Sequence, residues 1–159
     1  MNHTAYIGLG SNLGRRERLV TGALNALEST RDISVEAVSR LYETDPVGGP
    51  SGQEPYINCV ARIGTALTSS RLLAVLHRIE QSLGRDRESE VRWGPRRIDL
   101  DLLLFDDAII SDPDLLVPHP LMHERRFVME PLAEIAPDVV HPALGRTVRD
   151  IFNDLASRA

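Results

Sequence analysis

Residues Ile98–Phe105 read I-D-L-D-L-L-L-F, a nearly continuous apolar run of strand length broken only by two aspartates. Side chains alternate faces along a strand, so Asp99 and Asp101 point one way while Ile98, Leu100 and Leu102 point the other. The Cα atoms of the two aspartates are then about 6.6–6.8 Å apart. The rest of the run suits a core, where burying unpaired charge is costly, so the pair needs arginines or a cation beside it. Two carboxylates at this spacing can share one hard cation or grip two neighbouring ones. Mg²⁺ typically takes one or two carboxylates and completes its shell with substrate phosphates. Immediately upstream lies Arg92-Trp93-Gly94-Pro95-Arg96-Arg97, and with Arg85 and Arg87 the stretch holds five arginines. Guanidinium groups fit phosphate oxygens bidentately, and Trp93 offers a flat face for a ring. Glu88 and Glu90 share the stretch, so alone it fits a solvated charge run equally well. Leading straight into D-L-D, it reads as an anionic-substrate clamp beside a metal pair.

The remaining pattern surrounds this run with a mixed fold. Thr4–Leu9 reads as a first strand, and Arg15–Ser29 has helical spacing through Leu19, Ala23 and Leu27. Ile33–Tyr42 and Tyr56–Leu67 read as strands on either side of a Pro/Gly-rich loop, Asp45–Pro55. Ser69–Gly84 is the clearest helix, with Leu72, Leu76, Ile79 and Leu83 in one stripe and Gly84 as a stop. Glu80 falls on the flank of that stripe, out of open solvent. Arg85–Arg97 reads as a second long loop. After Ile98–Phe105, Asp106-Asp107 is expected to turn the chain into a short partner strand, Ala108–Ile110. Helices follow at Phe127–Ile135 and Val148–Ala156. This order predicts an α+β fold, a mainly antiparallel sheet with helices packed on it, in one domain spanning residues 1–159.

A chain of 159 residues can bury a self-sufficient core. Its net charge of −5 argues against a nucleic-acid binder, which carries a basic footprint. Cys59 is the only cysteine; it sits in an apolar run and reads as a buried small side chain, not a reactive thiol. No signal peptide is visible, and no apolar run approaches the roughly 18 residues of a membrane span. A cytoplasmic enzyme is the expectation. Gly8-Leu9-Gly10-Ser11-Asn12-Leu13-Gly14 lacks the G-x-G-x-x-G spacing of a dinucleotide site and reads as a tight strand-to-helix turn. No Cys/His spacing suggests zinc, and no serine nucleophile motif is present. His119, between Pro118 and Pro120, is either a loop residue or a phosphate ligand held by its restricted neighbours.

Taken together, Tyr6-Ile7-Gly8-Leu9-Gly10-Ser11-Asn12, Tyr42-Glu43-Thr44, R-W-G-P-R-R-I-D-L-D-L-L-L-F and Val117-Pro118-His119-Pro120 resemble the 6-hydroxymethyl-7,8-dihydropterin pyrophosphokinases over about Thr4 to Leu155. The resemblance implies a ferredoxin-like α+β sandwich. It also implies transfer of pyrophosphate from ATP to the pterin hydroxymethyl group, with release of AMP, in folate synthesis. Carried over position by position, Asp99 and Asp101 hold two Mg²⁺ ions. Arg85 and Arg96 contact the phosphates and act with the two aspartates in catalysis. The nucleotide side comprises Glu80, Arg87, Leu102, Leu115, His119 and Arg125. The pterin pocket comprises Thr44, Pro46, Val47, Tyr56 and Asn58, with Trp93 and Phe127 closing on the ring. Association with other folate-pathway enzymes is a further implication. Asp45, His77 and Pro120 depart from the family's pattern, which has proline, glutamine and tyrosine there, and Arg85–Trp93 is one residue longer. Two other readings stay open at this point: a two-metal nucleotidyltransferase or nuclease, and a non-catalytic ferredoxin-like ligand-binding module.

Overall fold

The computed structural model describes residues 1–45, 49, 51–84 and 98–158. The chain runs through β1 (His3–Ser11), α1 (Arg16–Glu28), β2 (Ile33–Val38), β3 (Tyr42–Thr44), β4 (Tyr56–Thr65), α2 (Ser69–Ser82) and β5 (Asp99–Phe105). It continues through β6 (Ile110–Asp112), β7 (Leu115–Val117), a 3-10 turn (Met122–Glu124), α3 (Arg126–Ile135), β8 (Val140–His141), β9 (Arg146–Thr147) and α4 (Val148–Ser157). Strands pair antiparallel in the order β2-β4-β1-β5, with β3 also pairing with β4. The first part of the chain is therefore a ferredoxin-like pair of β-α-β units, as expected.

Strand alternation sorts the side chains into two cores. On one face Ala5, Ile7 and Leu9 of β1 and Cys59, Ala61 and Ile63 of β4 meet Leu19, Val20, Ala23 and Leu27 of α1 and Leu72, Leu76 and Ile79 of α2. On the other, Tyr6, Val60, Leu103 and Leu104 meet Met122, Met129, Leu132, Val148 and Ile151. Burial pushes the Cys59 thiol up to about 12, which keeps it protonated and unreactive. Native protein is expected to resist alkylation at mildly alkaline pH and to react only on unfolding; mass spectrometry after labelling checks this.

Three local features depart from the alternation read in the sequence. The stretch expected as one strand, Ile33–Tyr42, is two. The β2–β4 register shifts between Val35 and Ala37, and the buried Ser39 then accepts the Val60 N–H at its hydroxyl, 2.9 Å away. Its own N–H donates to the Val60 carbonyl. A side chain has taken one place in the ladder, and the chain breaks before resuming at Tyr42.

The expected partner strand Ala108–Ile110 does not form beside β5. Asp106, at φ 48°, turns the chain outward. Its carboxylate accepts the Thr4 N–H at 2.8 Å and bonds the His3 Nδ1 at 2.7 Å, closing the end of the β1–β5 pair. β6 starts two residues later than expected and pairs with β7 instead.

Third, Ile7 pairs with Leu102 but Tyr6 with Leu104, leaving Leu103 as the extra residue of a β-bulge. Leu103 and Leu104 consequently share one face, and Phe105 returns to the α1/α2 face with Leu102. The bulged carbonyl of Leu103 accepts the His119 N–H at 3.0 Å, and this bond draws His119 toward the face of β5 that carries the aspartates.

Candidate active site

The second face of the sheet is covered by α3 and α4 over only part of its area. The uncovered part floors a cleft of about 640 Å³. Strand register defines that floor. Asn58 of β4 pairs with Gly10 of β1, which pairs with Asp99 of β5; one step along, Val60, Gly8 and Asp101 form the parallel row. The central strand thus contributes only glycines between an amide-bearing strand and a carboxylate-bearing one. Gly8 reads from the sequence as part of the first strand, whereas Gly10 reads as part of the turn that ends it. They lie within β1, and the turn begins beyond Ser11.

At Gly10 the missing side chain is a requirement. A Cβ there would stand 2.6 Å from Asn58 Oδ1 and 3.6 Å from the Tyr56 ring. Asn58 is 8% exposed, and its Nδ2 donates to Thr44 Oγ1 at 2.6 Å. Its carboxamide is therefore wedged between β3 and a glycine backbone, with one orientation fixed. Tyr56, Thr44 and Phe127 complete this end of the cleft, an amide edge flanked by aromatic surface that can seat a flat, hydrogen-bonding heterocycle. The Arg125 guanidinium lies 5.6 Å from the centre of the Phe127 ring.

At the other end the electrostatics concern charge crowding. Asp101 is held well above the usual carboxylate range, first by burial, then by the charge of Asp99 and a hydrogen bond shared with it, with a contribution from Glu80. Arg125 opposes the shift. Two neighbouring half-buried carboxylates repel each other when both are charged; a divalent cation held by them would remove that conflict, so the donor set fits Mg²⁺. His119 is pushed below its ordinary pKa by burial and by the charge of Arg125, partly offset by Asp99. It is neutral at neutral pH, and because Nδ1 accepts the Leu121 N–H at 3.4 Å, the ring proton belongs on Nε2. That leaves an N–H donor beside the carboxylates.

The structure thus brings together Asp99, Asp101, His119, Arg125, Thr44, Tyr56, Asn58 and Phe127 of the expected site. It does not bring the side chains of Leu102, Leu115 and Glu80 into the cleft. Leu102 and Leu115 belong to the core under α1 and α2, because β5 alternation sends Leu102 away from the aspartates. Glu80 is 1% exposed, and its Oε2 accepts the Leu100 N–H at 2.8 Å. Pro46, Val47, Arg85, Arg87, Trp93 and Arg96 lie outside the described residues. Residues missed in the sequence include Gly8 and Gly10, and also Asn12, whose buried carboxamide donates to Gln53 Oε1 and the Glu54 carbonyl. With Arg16, which donates to the Pro55 carbonyl, Asn12 ties the segment entering β4 to the end of β1. A buried polar residue directly after a strand was the available signal.

Comparison with known proteins gives one family. The model of 7,8-dihydro-6-hydroxymethylpterin-pyrophosphokinase matches residues 6–137. The 2-amino-4-hydroxy-6-hydroxymethyldihydropteridine pyrophosphokinase of Bacillus subtilis is 48% identical over 139 residues, covering 87% of this chain and 81% of the relative. The protein of the same name from Methylorubrum extorquens is 47% identical over 151 residues, 95% of this chain and 92% of the relative. Among solved structures, wild-type Plasmodium falciparum HPPK-DHPS with SDX-DHP superposes with a TM-score of 0.76 at 17% identity. That match covers 99% of this chain but 44% of the longer one, and it speaks to fold alone.

Proposed function

The chain belongs to the 7,8-dihydro-6-hydroxymethylpterin-pyrophosphokinase family, and from that premise we propose how its residues divide the work. The activity is ATP-dependent pyrophosphoryl transfer to hydroxymethyldihydropterin in folate biosynthesis. In atoms, the pterin hydroxyl oxygen forms a bond to the β-phosphorus of ATP, the bond from that phosphorus to the α-phosphate oxygen breaks, and AMP leaves. The hydroxyl loses its proton.

The observation that carries the residue assignment is the row Asn58, Gly10, Asp99. Adjacent strands lie about 4.7–4.9 Å apart, so the row separates amide and carboxylate by about two such spacings. A pterin whose amide edge meets Asn58 and Thr44 lies over Gly10 and presents its hydroxymethyl arm to Asp99. Tyr56 and Phe127 contact the ring faces. Asp99 and Asp101 would hold Mg²⁺, which would supply charge neutralisation along the phosphate chain. The Nε2–H of His119 and the guanidinium of Arg125 donate to phosphate oxygens from the same side. Positioning of this kind, realised before reaction, is the main contribution a protein makes to phosphoryl chemistry.

The same reading extends to residues outside the described part. Arg85 and Arg96 act on the transferring phosphates, Arg87 on the nucleotide, and Pro46, Val47 and Trp93 on the pterin. It takes residues 1–159 as one pyrophosphokinase domain. A cytoplasmic location follows from its two small-molecule substrates; no helix of the described residues is long and apolar enough to cross a membrane. Association with neighbouring folate enzymes is supported by the folic acid synthesis protein fol1 of Pneumocystis carinii, 38% identical over 154 residues, of which this chain covers 20%.

The test is an assay of ATP with hydroxymethyl-dihydropterin, measuring AMP across a Mg²⁺ titration. One AMP per pyrophosphorylated pterin, dependent on Mg²⁺, is expected. Pterin binding without AMP release would overturn the assignment.

A further inference from the structure

β5 is the edge strand of its sheet. Asp99 and Asp101 pair inward with Gly10 and Gly8 of β1, while the N–H of Leu100 between them points away from β1. The amides on such an edge usually meet water or a covering element. Here the Leu100 N–H donates to Glu80 Oε2 at 2.8 Å, inside the seam between α2 and the sheet. Glu80 is 1% exposed and sits in the last turns of α2, where a carboxylate opposes the helix dipole. Its bond to the Leu100 N–H offsets part of that disadvantage and ties α2 to the outer edge of β5. Glu80 reaches the pair in two ways: its charge contributes to the field at Asp101, and its bond to the Leu100 N–H holds the backbone between the two aspartates.

We propose that Glu80 is a positioning residue for the reaction: from α2 it holds the outer edge of β5 at Leu100 and so fixes the common orientation of Asp99 and Asp101. Asp99 and Asp101 flank the anchored amide by one residue on each side. Without that anchor, the outer edge of β5 is free to twist, and the two carboxylates lose their mutual alignment while the floor at Gly10 and Asn58 is unaffected. The inference rests on the proposal that the two aspartates hold Mg²⁺.

Three variants of the full chain separate the possibilities. Glu80→Gln keeps a carbonyl acceptor for the Leu100 N–H, Glu80→Asp keeps the charge but withdraws the acceptor by one methylene, and Glu80→Leu removes both. The readouts are the Mg²⁺ concentration for half-maximal binding of a non-hydrolysable ATP analogue by calorimetry, pterin affinity, hydrogen exchange at the Leu100 amide, and melting temperature. Groups that orient metal ligands typically alter metal affinity by about 10–100-fold when removed. Glu80→Leu and Glu80→Asp are expected to raise the half-saturating Mg²⁺ within that range and to speed exchange at Leu100, with pterin affinity unchanged. Glu80→Gln is expected to stay close to the parent. Should Glu80→Leu fail to fold, Glu80→Asp decides.

A lowered melting temperature with unchanged Mg²⁺ dependence would reduce Glu80 to a structural role and overturn the proposal. So would a Glu80→Gln variant as impaired as Glu80→Asp, since the charge and not the anchored amide would then matter. Asp101→Ala in the same calorimetry is the separate control. If it leaves Mg²⁺ dependence unaltered, the metal assignment fails, whatever the Glu80 variants do.

Discussion

Asp101→Ala is expected to abolish AMP release from ATP and pterin while leaving the protein folded. Removing a single preorganised electrostatic group from an active site costs on the order of 10²–10³ in kcat, and loss of a ligand to the cation that neutralises the phosphates should lie at or beyond the upper end. The fold should not suffer, for a reason specific to this site. Asp101 is half-buried beside Asp99, and its pKa is held well above the ordinary carboxylate range. A group whose folded pKa is raised contributes stability only below its unfolded pKa. That contribution is lost as pH rises through the folded value. In the metal-free protein near neutrality Asp101 is therefore a liability, and its removal is expected to hold or raise the melting temperature there. Asp101→Asn should lose activity to a similar degree, because an amide keeps the shape without the charge. Full turnover by Asp101→Ala at saturating Mg²⁺ would refute the metal assignment.

Gly10→Ala is expected to damage the opposite end of the cleft. The new methyl group would meet Asn58 Oδ1 at 2.6 Å, well inside contact distance, and the flanking β4 and β5 backbones prevent β1 from yielding. The Asn58 carboxamide must rotate, breaking its bond to Thr44 Oγ1 and misaligning the edge that meets the pterin. Leaving a buried polar partner unmatched costs about 1–3 kcal/mol, which corresponds to roughly 5–150-fold in pterin affinity. ATP-analogue binding and its Mg²⁺ requirement should be unchanged, because Asp99 and Asp101 are reached from the other strand. Isothermal titration with each ligand separately distinguishes this from global damage. Equal losses for both ligands would mean that the floor, not the carboxamide, had failed.

Much of the site was legible because the relevant rules are local. Alternation along Ile98–Phe105 placed the two aspartates on one face without any knowledge of neighbours, and helical spacing put Glu80 beside the buried stripe of α2. Cys59 read as a core residue for the same reason, and so it is. What escaped depends on cross-strand register. Nothing within Gly8–Gly14 reveals that Gly10 stands between Asn58 and Asp99, since those pairings span long separations in sequence. The bulge at Leu103 was equally invisible: four consecutive apolar residues carry no mark of which one is extra, yet that choice sends Phe105 to one core and draws in His119. Ser39 looked like one polar residue in an alternating strand, and only its hydroxyl's bond to Val60 shows why the strand stops. Leu102 and Leu115 were carried over with the nucleotide contacts, and the alternation that turns the aspartates toward the cleft is what buries Leu102.

The bare glycine strand also sets how the enzyme can vary. The gap between the ring-recognising amide and the metal-gripping carboxylates is spanned by main chain alone, so its length is that of a ruler whose divisions are backbone hydrogen bonds. No side chain lies along it to be lengthened, shortened or repacked. Substitutions at either end can retune chemistry or substrate edge without altering the separation, and substitutions in the helical layers shift stability first. Alignment of the two substrates is thereby insulated from drift in the core that supports it.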